Sequence, residues 1–462
     1  MLDRQPLPTH DEVILAVGTK NIAKEGLLFF HSSAFKAPGT SVLHNSPLFV
    51  ALNTVAIYHF GTNLFAFRLL GVLFCTFTFI LLFIYFGEFE KGSFKNASIL
   101  ILFAFLIDPI LNQHLHANGN IAMAVFFLLL SLFVEFKKGE HTFYSTLFCC
   151  LWTVLALLSY LPIVFVIPFL ILHKTITAFT GIQERKTYLF SHLLFWIISI
   201  VVLFSSWLMF SGLNFFQLIE NIFTSNTIKT PSETIYIYVF ISLGTIGLLV
   251  YSLFQRKYTV ENKFILFMLI GISFCFFLIN PIFEKNHLII LPFLYLINFG
   301  LLPLNITDNF ARIGRYVPLA TLIIVNSFIF FLQTINVLAD YQNRSDRALT
   351  EFIAKYIPKG QNVVGDATAG IVLLANNYSF APISSSLELN KKIKNKEINY
   401  AVIGQNFEST NEYSASTLEY EGFRKLARIE YKASGTHRFL ASIGLVPSSE
   451  DQLYSVQIFT RK

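Results

Sequence analysis

Long apolar runs separated by short polar breaks dominate the first 338 positions of the chain. Runs long enough to cross roughly 30 Å of hydrocarbon fall at 64–86, 98–116, 120–136, 143–160, 187–210, 234–254, 262–280, 286–303 and 316–338. A shorter run, 161–174, follows Ser159-Tyr160-Leu161-Pro162. Together 143–174 is too long for one span, so the pattern predicts two helices joined by a tight turn at Pro162. The expectation is therefore ten transmembrane helices. The stretch 47–60 is apolar but too short to span, which places it at the membrane interface.

The pattern changes at about 339. From 340 to 462 there are 15 Lys+Arg and 13 Asp+Glu, and no apolar run is long enough to span. Val363-Val364-Gly365-Asp366, Tyr400-Ala401-Val402-Ile403 and Tyr454-Ser455-Val456-Gln457-Ile458-Phe459 read as short strands, and 345–356 and 416–426 as helices. The expected organisation is a membrane-embedded domain over 1–338 and a small soluble α/β domain over 339–462. Within the first, residues 1–63 form an outer loop with interfacial helices.

Composition agrees with the pattern and excludes other classes. Hydrophobic residues make up 54% of the chain and charged residues 13%, and the mean hydropathy is +0.59. Soluble domains carry about 25% charged residues. An ordinary cytosolic enzyme, a disordered chain and a nucleic-acid-binding domain are thus excluded, leaving a polytopic membrane protein surrounded by lipid. The four cysteines lie inside apolar runs, so no disulfide framework is readable.

Charge gives the orientation. Lys91, Lys95, Lys137, Lys138, Lys174, Arg185, Lys186, Arg256, Lys257, Lys263, Arg312 and Arg315 fall in one set of alternating loops. Only Lys229 and Lys285 fall in the other set. Basic residues stay on the cytoplasmic side. The loops at 112–119, 211–233 and 280–287 therefore face outward, as do the N-terminal 60 residues and everything after 339. Arg4, Lys20, Lys24 and Lys36 run against this, but they lie in a long segment, where charge counts less. The expected location is the cytoplasmic membrane, with the C-terminal domain extracytoplasmic.

Polar groups on the outward side cluster in four places: Asp11-Glu12; His44-Asn45-Ser46-Pro47-Leu48 with Arg68; Asp108, His114, His116, Asn118 and Asn120; and Glu284-Lys285-Asn286-His287. Ionisable groups at membrane depth are expensive and usually functional. Each also has a plainer reading. Asp11 fits a helix N-cap, Arg68 a snorkelling anchor, and Lys285 and His287 solvated loop positions. His114 and His116 have no third ligand at a metal-like spacing. No metal site is read, and a divalent cofactor is left open.

The ordered set of features resembles the GT-C superfamily of membrane glycosyltransferases. The similarity is strongest to the branch holding the lipid A aminoarabinose transferase and the protein O-mannosyltransferases. Asp11-Glu12 matches that branch's acidic pair in the first outer loop. Ser46-Pro47-Leu48 through Phe60-Gly61 to Arg68-Leu69 matches its Pro-Pro-Leu segment, interfacial helix and Arg-Leu-led span. Trp207 and the stretch from Lys285 to Pro292 match later features, so the resemblance covers about 1–338. The family's transmembrane helix before the acidic pair has no counterpart here; Leu2 to Pro8 looks like the tail of that connection. Where the family has a second carboxylate, this chain reads Asn118-Gly119-Asn120, which leaves Asp108 as the substitute. His44-Asn45 replaces the family's basic residue before Pro-Pro-Leu.

The resemblance implies a polyprenyl-phosphate sugar donor and an acceptor hydroxyl on a lipid, glycan or protein. Inverting transfer needs a carboxylate to take the acceptor's proton and cations or donors to stabilise the departing phosphate. On this reading Asp11 is the base and Glu12 orients it or the acceptor. Arg68, Lys285 and His287 are phosphate contacts, with His44, Asp108 and Asn120 near the substrate. Arg68 is expected at the outer end of its span, where its loss weakens use of the donor and leaves folding intact. Two other classes stay open: a many-span transporter or lipid flippase, and a membrane scaffold whose outer domain binds a partner.

Overall fold

A computed structural model describes residues 10–26, 46–89, 119–136, 143–161, 193–202, 346–383, 398–404, 421–432, 434–442 and 452–461, with scattered single positions besides. The chain forms two compact units. One comprises Met1–Phe29, Val50–Leu70 and Phe328–Lys462; the other comprises Phe30–Phe49 and Gly71–Ser327. The predicted spans over 98–116, 234–254, 262–280 and 286–303 lie outside the described residues.

The described helices of the apolar region are α1 (His10–Glu25), α2 (Pro47–Phe60), α3 (Leu64–Phe89), α4 (Gly119–Phe136) and α5 (Phe143–Ser159). Among the described residues α3 is the one helix long and apolar enough to cross a membrane, over Leu64–Ile84. Its Phe65, Leu73, Phe77, Ile80 and Phe83 are exposed, as a lipid-facing surface requires. The start of the interfacial stretch, the 64–86 run and the break before Pro162 all agree with the pattern in the sequence: α2 begins at Pro47, α3 at Leu64, and α5 ends at Ser159.

A short turn fixes how α2 meets α3. Gly61 takes φ +81°, and its N–H donates to Ile57 O at 2.8 Å, the left-handed end that glycine allows. Asn63 then serves both helices. Its Nδ2 donates to Phe60 O at 2.7 Å, and its Oδ1 accepts from Ala66 N at 2.8 Å, an N-cap for α3. Arg68 is thereby carried on the second turn of α3.

Helices α4 and α5 pack side by side in the second unit. Phe74 and Phe77 of α3 meet Phe126 and Phe127 of α4, and Phe127 stacks on Trp152 of α5 at 5.6 Å. Ser131 Oγ lies 2.8 Å from Thr153 Oγ1 and 3.1 Å from Cys149 O. Such hydroxyl contacts hold helices together where surrounding lipid is as apolar as the side chains.

The C-terminal region is an α/β fold: α6 (Asp346–Tyr356), β1 (Asn362–Gly365), α7 (Ala367–Ala375), β2 (Ser379–Pro382), β3 (Tyr400–Gly404), β4 (Phe423–Lys432), α8 (Gly435–Ser442) and β5 (Gln452–Arg461). The five strands form one sheet in the order β2-β1-β3-β5-β4. β2, β1 and β3 are parallel, and β5 is antiparallel to both β3 and β4. Val364, Ile383, Ala401, Ile403, Phe423 and Phe459 are core residues. Asp366 caps α7, accepting from Thr368 N at 3.2 Å and from Gly404 N at 3.0 Å.

Two sequence expectations are corrected here. The segment 416–426 reads as helical; Leu418 is helical, but from Glu421 a turn at Glu421-Gly422 leads into strand β4 at Phe423. Its outward positions carry Arg424, Lys425, Arg428 and Glu430, the charged edge that keeps an outer strand from pairing elsewhere. Those charges mask the period of two. Asp11 is not the N-cap of α1: the helix begins at His10 and puts Asp11 within its first turn, where the helix dipole still favours negative charge.

Candidate active site

Helix α1 is held from two sides within its unit. On one side Glu12 meets Arg68 in a bidentate ion pair. Arg68 Nε donates to Glu12 Oε1 at 2.7 Å, and Nη2 donates to Oε2 at 3.0 Å. Glu12 is 1% exposed and Arg68 0%. The planar guanidinium matches both carboxylate oxygens at once, so the pair fixes the rotation of α1 about its axis. On the other side α1 packs on α7. Gly370 makes that approach possible: a Cβ there would stand 2.6 Å from Val13 Cγ1. Lys20 Nζ donates to Leu374 O at 2.8 Å and to Asn377 Oδ1 at 3.1 Å. A cation is favoured at the end of α7, where carbonyls lack helical partners. Burial, and then the nearby Lys24, lower the Lys20 pKa.

The structure brings Glu12 and Arg68 together across 56 residues of sequence. Asp11 is the next helical position, and only its backbone is among the described atoms. Arg68, expected as a phosphate contact at a helix end, is buried and paired with Glu12. The side chain is buried, because α1 covers it and supplies the opposite charge. Removing it takes two charge-assisted hydrogen bonds from a buried carboxylate.

Asn120 lies in the other unit. Its Nδ2 donates to Ser46 Oγ at 2.8 Å, and both residues are buried. The bond ties the Ser46-Pro47-Leu48 segment to the first turn of α4. Gly119 beside it lets the segment approach: a Cβ there would stand 2.7 Å from Phe49 Cε2. Lys285, His287, His44 and Asp108 lie outside the described residues. Among the described residues no group of three His, Cys, Asp or Glu side chains could hold a metal ion.

No protein-family model matches the sequence, and no curated protein does. Solved structures do. ArnT from Cupriavidus metallidurans bound to undecaprenyl phosphate aligns with a TM-score of 0.60 at 10% identity, over 99% of this chain and 95% of that one. ArnT from the same organism in the apo state gives 0.57 at 11% identity, over 99% and 94%. This chain shares the fold of these two structures. At 10–11% identity the likeness is one of fold. That accounts for a likeness running through the whole chain while no sequence relative emerges.

What sequence reasoning missed is the pairing itself. Glu12 and Arg68 each stand out in the sequence in different roles, and nothing in their spacing joins them. The one available signal was charge balance, because a buried arginine at the head of an apolar helix requires a carboxylate partner.

Proposed function

We propose that the protein is a membrane glycosyltransferase that moves a sugar from a polyprenyl-phosphate donor to an acceptor hydroxyl. The transfer inverts the anomeric centre and takes place at the outer face of the cytoplasmic membrane. The observation that carries the reading is the buried Glu12–Arg68 pair, set in a fold shared over the full chain with a protein that holds undecaprenyl phosphate.

The donor's tail lies in the bilayer, so its anomeric carbon sits at the interface. Asp11 takes the proton of the acceptor hydroxyl as the oxygen attacks that carbon. The bond from carbon to phosphate oxygen breaks, and the polyprenyl phosphate leaves with the electron pair. Glu12 and Arg68 act one step back: they pin α1 and so set where Asp11 stands. Lys285, His287 and His44 supply positive charge or hydrogen-bond donors to the departing phosphate. Asp108 lies on the acceptor side, and Asn120 holds the segment that carries His44. The C-terminal α/β domain lies outside the cytoplasm and guides the acceptor, which is a lipid, glycan or protein.

The test is binding of undecaprenyl phosphate to the purified full chain in lipid nanodiscs. Wild type should bind, and Lys285→Ala should weaken binding by roughly 10–100-fold, as loss of a charge-assisted contact worth about 1.5–3 kcal/mol requires. Wild-type protein that does not bind undecaprenyl phosphate would overturn the reading.

A further inference from the structure

Helix α2 buries one face through Val50, Asn53, Ala56 and Ile57, spaced three and four residues apart. Three of these are apolar. Asn53 is 0% exposed, and neither its Nδ2 nor its Oδ1 has a hydrogen-bond partner among the described residues. Buried amides are almost always paired, because burying one with neither end bonded is destabilising. A local remedy exists and is used elsewhere in this chain. Asn376 donates to Val372 O, four residues back, at 2.8 Å, and Thr54, next to Asn53, donates to Val50 O at 3.0 Å. Asn53 makes no such bond and keeps both functions unmatched.

Its position adds a second reason. Helix α2 leads through the Gly61 turn directly into α3, which carries Arg68. Asn53 lies about 10 Å and Arg68 about 6 Å along its helix from that turn, at about 1.5 Å per residue. Both belong to the same compact unit as α1.

We propose that Asn53 is a sugar-binding residue that takes a hydroxyl or amino substituent of the transferred sugar and not the donor's phosphate. The distinction follows from hydrogen-bond inventory. An ionised phosphodiester offers acceptors only, so it could satisfy Nδ2 and would leave Oδ1 stranded. A hydroxyl both donates and accepts, and two neighbouring hydroxyls match the amide at both ends. The proposal rests on the glycosyltransferase reading above.

The experiment uses the full chain in nanodiscs with two kinds of probe. One is undecaprenyl phosphate. The other is a panel of undecaprenyl-phosphate monosaccharides: a hexose, a pentose and an aminopentose. Wild type should bind at least one panel member more tightly than undecaprenyl phosphate. Asn53→Leu, which keeps the branched outline of the side chain and removes both polar atoms, should leave undecaprenyl phosphate affinity within about 2-fold. It should weaken the preferred sugar-bearing donor by about 10–100-fold, as the loss of two neutral hydrogen bonds implies. Its unfolding temperature should hold or rise, since an unmatched polar group is removed. Asn53→Ser, which puts one hydroxyl in place of the amide, should fall between the two and serves as the arm if the leucine variant does not fold. Equal affinities of wild type and both variants for every sugar-bearing donor would overturn the proposal while leaving the glycosyltransferase reading intact. So would wild-type affinity that gains nothing from any sugar. Failure of wild type to bind any of the lipids would defeat the glycosyltransferase reading itself.

Discussion

Replacing Arg68 with alanine should destabilise the protein severely. The structure gives the scale. Two charge-assisted hydrogen bonds, at 2.7 and 3.0 Å, are lost from a pair whose members are 1% exposed or less. At about 1.5–3 kcal/mol for each bond to a charged group, the loss is roughly 3–6 kcal/mol. That agrees with the about 3–5 kcal/mol found on breaking buried pairs, where the penalty comes from the stranded charge. The reverse variant, Glu12→Gln, removes the carboxylate charge facing the buried guanidinium and should cost a similar amount. Replacing both at once, with Glu12→Leu and Arg68→Met, removes both buried charges and should recover most of the stability. The assay is thermal unfolding of detergent-purified protein for wild type, both single variants and the double variant, with transfer activity measured in parallel. If the pair positions the site, the double variant regains stability and stays inactive. Single variants that unfold like wild type would refute the reasoning, because they would mean that water reaches the pair. A double variant with normal transfer would remove the pair from the function and leave it as a fold element alone.

Gly370→Ala should destabilise the seat of α1 on α7 by about 1–3 kcal/mol, the usual range for overpacking, because the added carbon would stand 2.6 Å from Val13 Cγ1. Thermal unfolding reads the stability, and a matching fall in transfer rate would show that the seat positions α1. Tyr378→Phe should cost about 1 kcal/mol, since the hydroxyl donates to Ile357 O at 2.9 Å. Burial raises the Tyr378 pKa above its ordinary 10.0, so its contribution is fully present below that pH and is lost as pH rises through the folded-state value. Unfolding followed from pH 8 upward should show a steeper alkaline loss in wild type than in Tyr378→Phe, and parallel curves would contradict this.

Much of the fold was legible where one physical effect dominates. Hydrocarbon thickness sets the length of an apolar run, so the 64–86 stretch reads directly as a helix and appears as Leu64–Phe89. A proline inside a helix removes a backbone donor and clashes with the preceding turn, so the end before Pro162 was readable. The buried parallel strands Asn362–Gly365 and Tyr400–Gly404 announced themselves as Val- and Ile-containing runs. Strand β4 did not, because its outer face is charged. Helix α7 did not either, because its short apolar stretch, Gly370 to Ala375, has no polar face to reveal a period. The site was readable as a set of residue types and not as an arrangement. Glu12 and Arg68 are 56 residues apart, and Lys20 reaches Leu374 across 354. Contacts at such separation are decided by packing, and no local pattern encodes them. The unmatched amide of Asn53 was hidden for the same reason, since burial is a property of the folded chain.

Transfer itself gives the most direct test. Wild-type protein and Asp11→Asn are each reconstituted with acceptor-bearing membranes and radiolabelled undecaprenyl-phosphate sugars. The label is followed from donor to acceptor, together with release of undecaprenyl phosphate. The account predicts label transfer by wild type and a fall of about 10²–10⁴-fold for Asp11→Asn, the usual worth of a general base, with protein abundance unchanged. Lipid movement across the membrane without any transfer of label would contradict it and favour a flippase. Equal transfer by the two proteins would show that Asp11 is not the base.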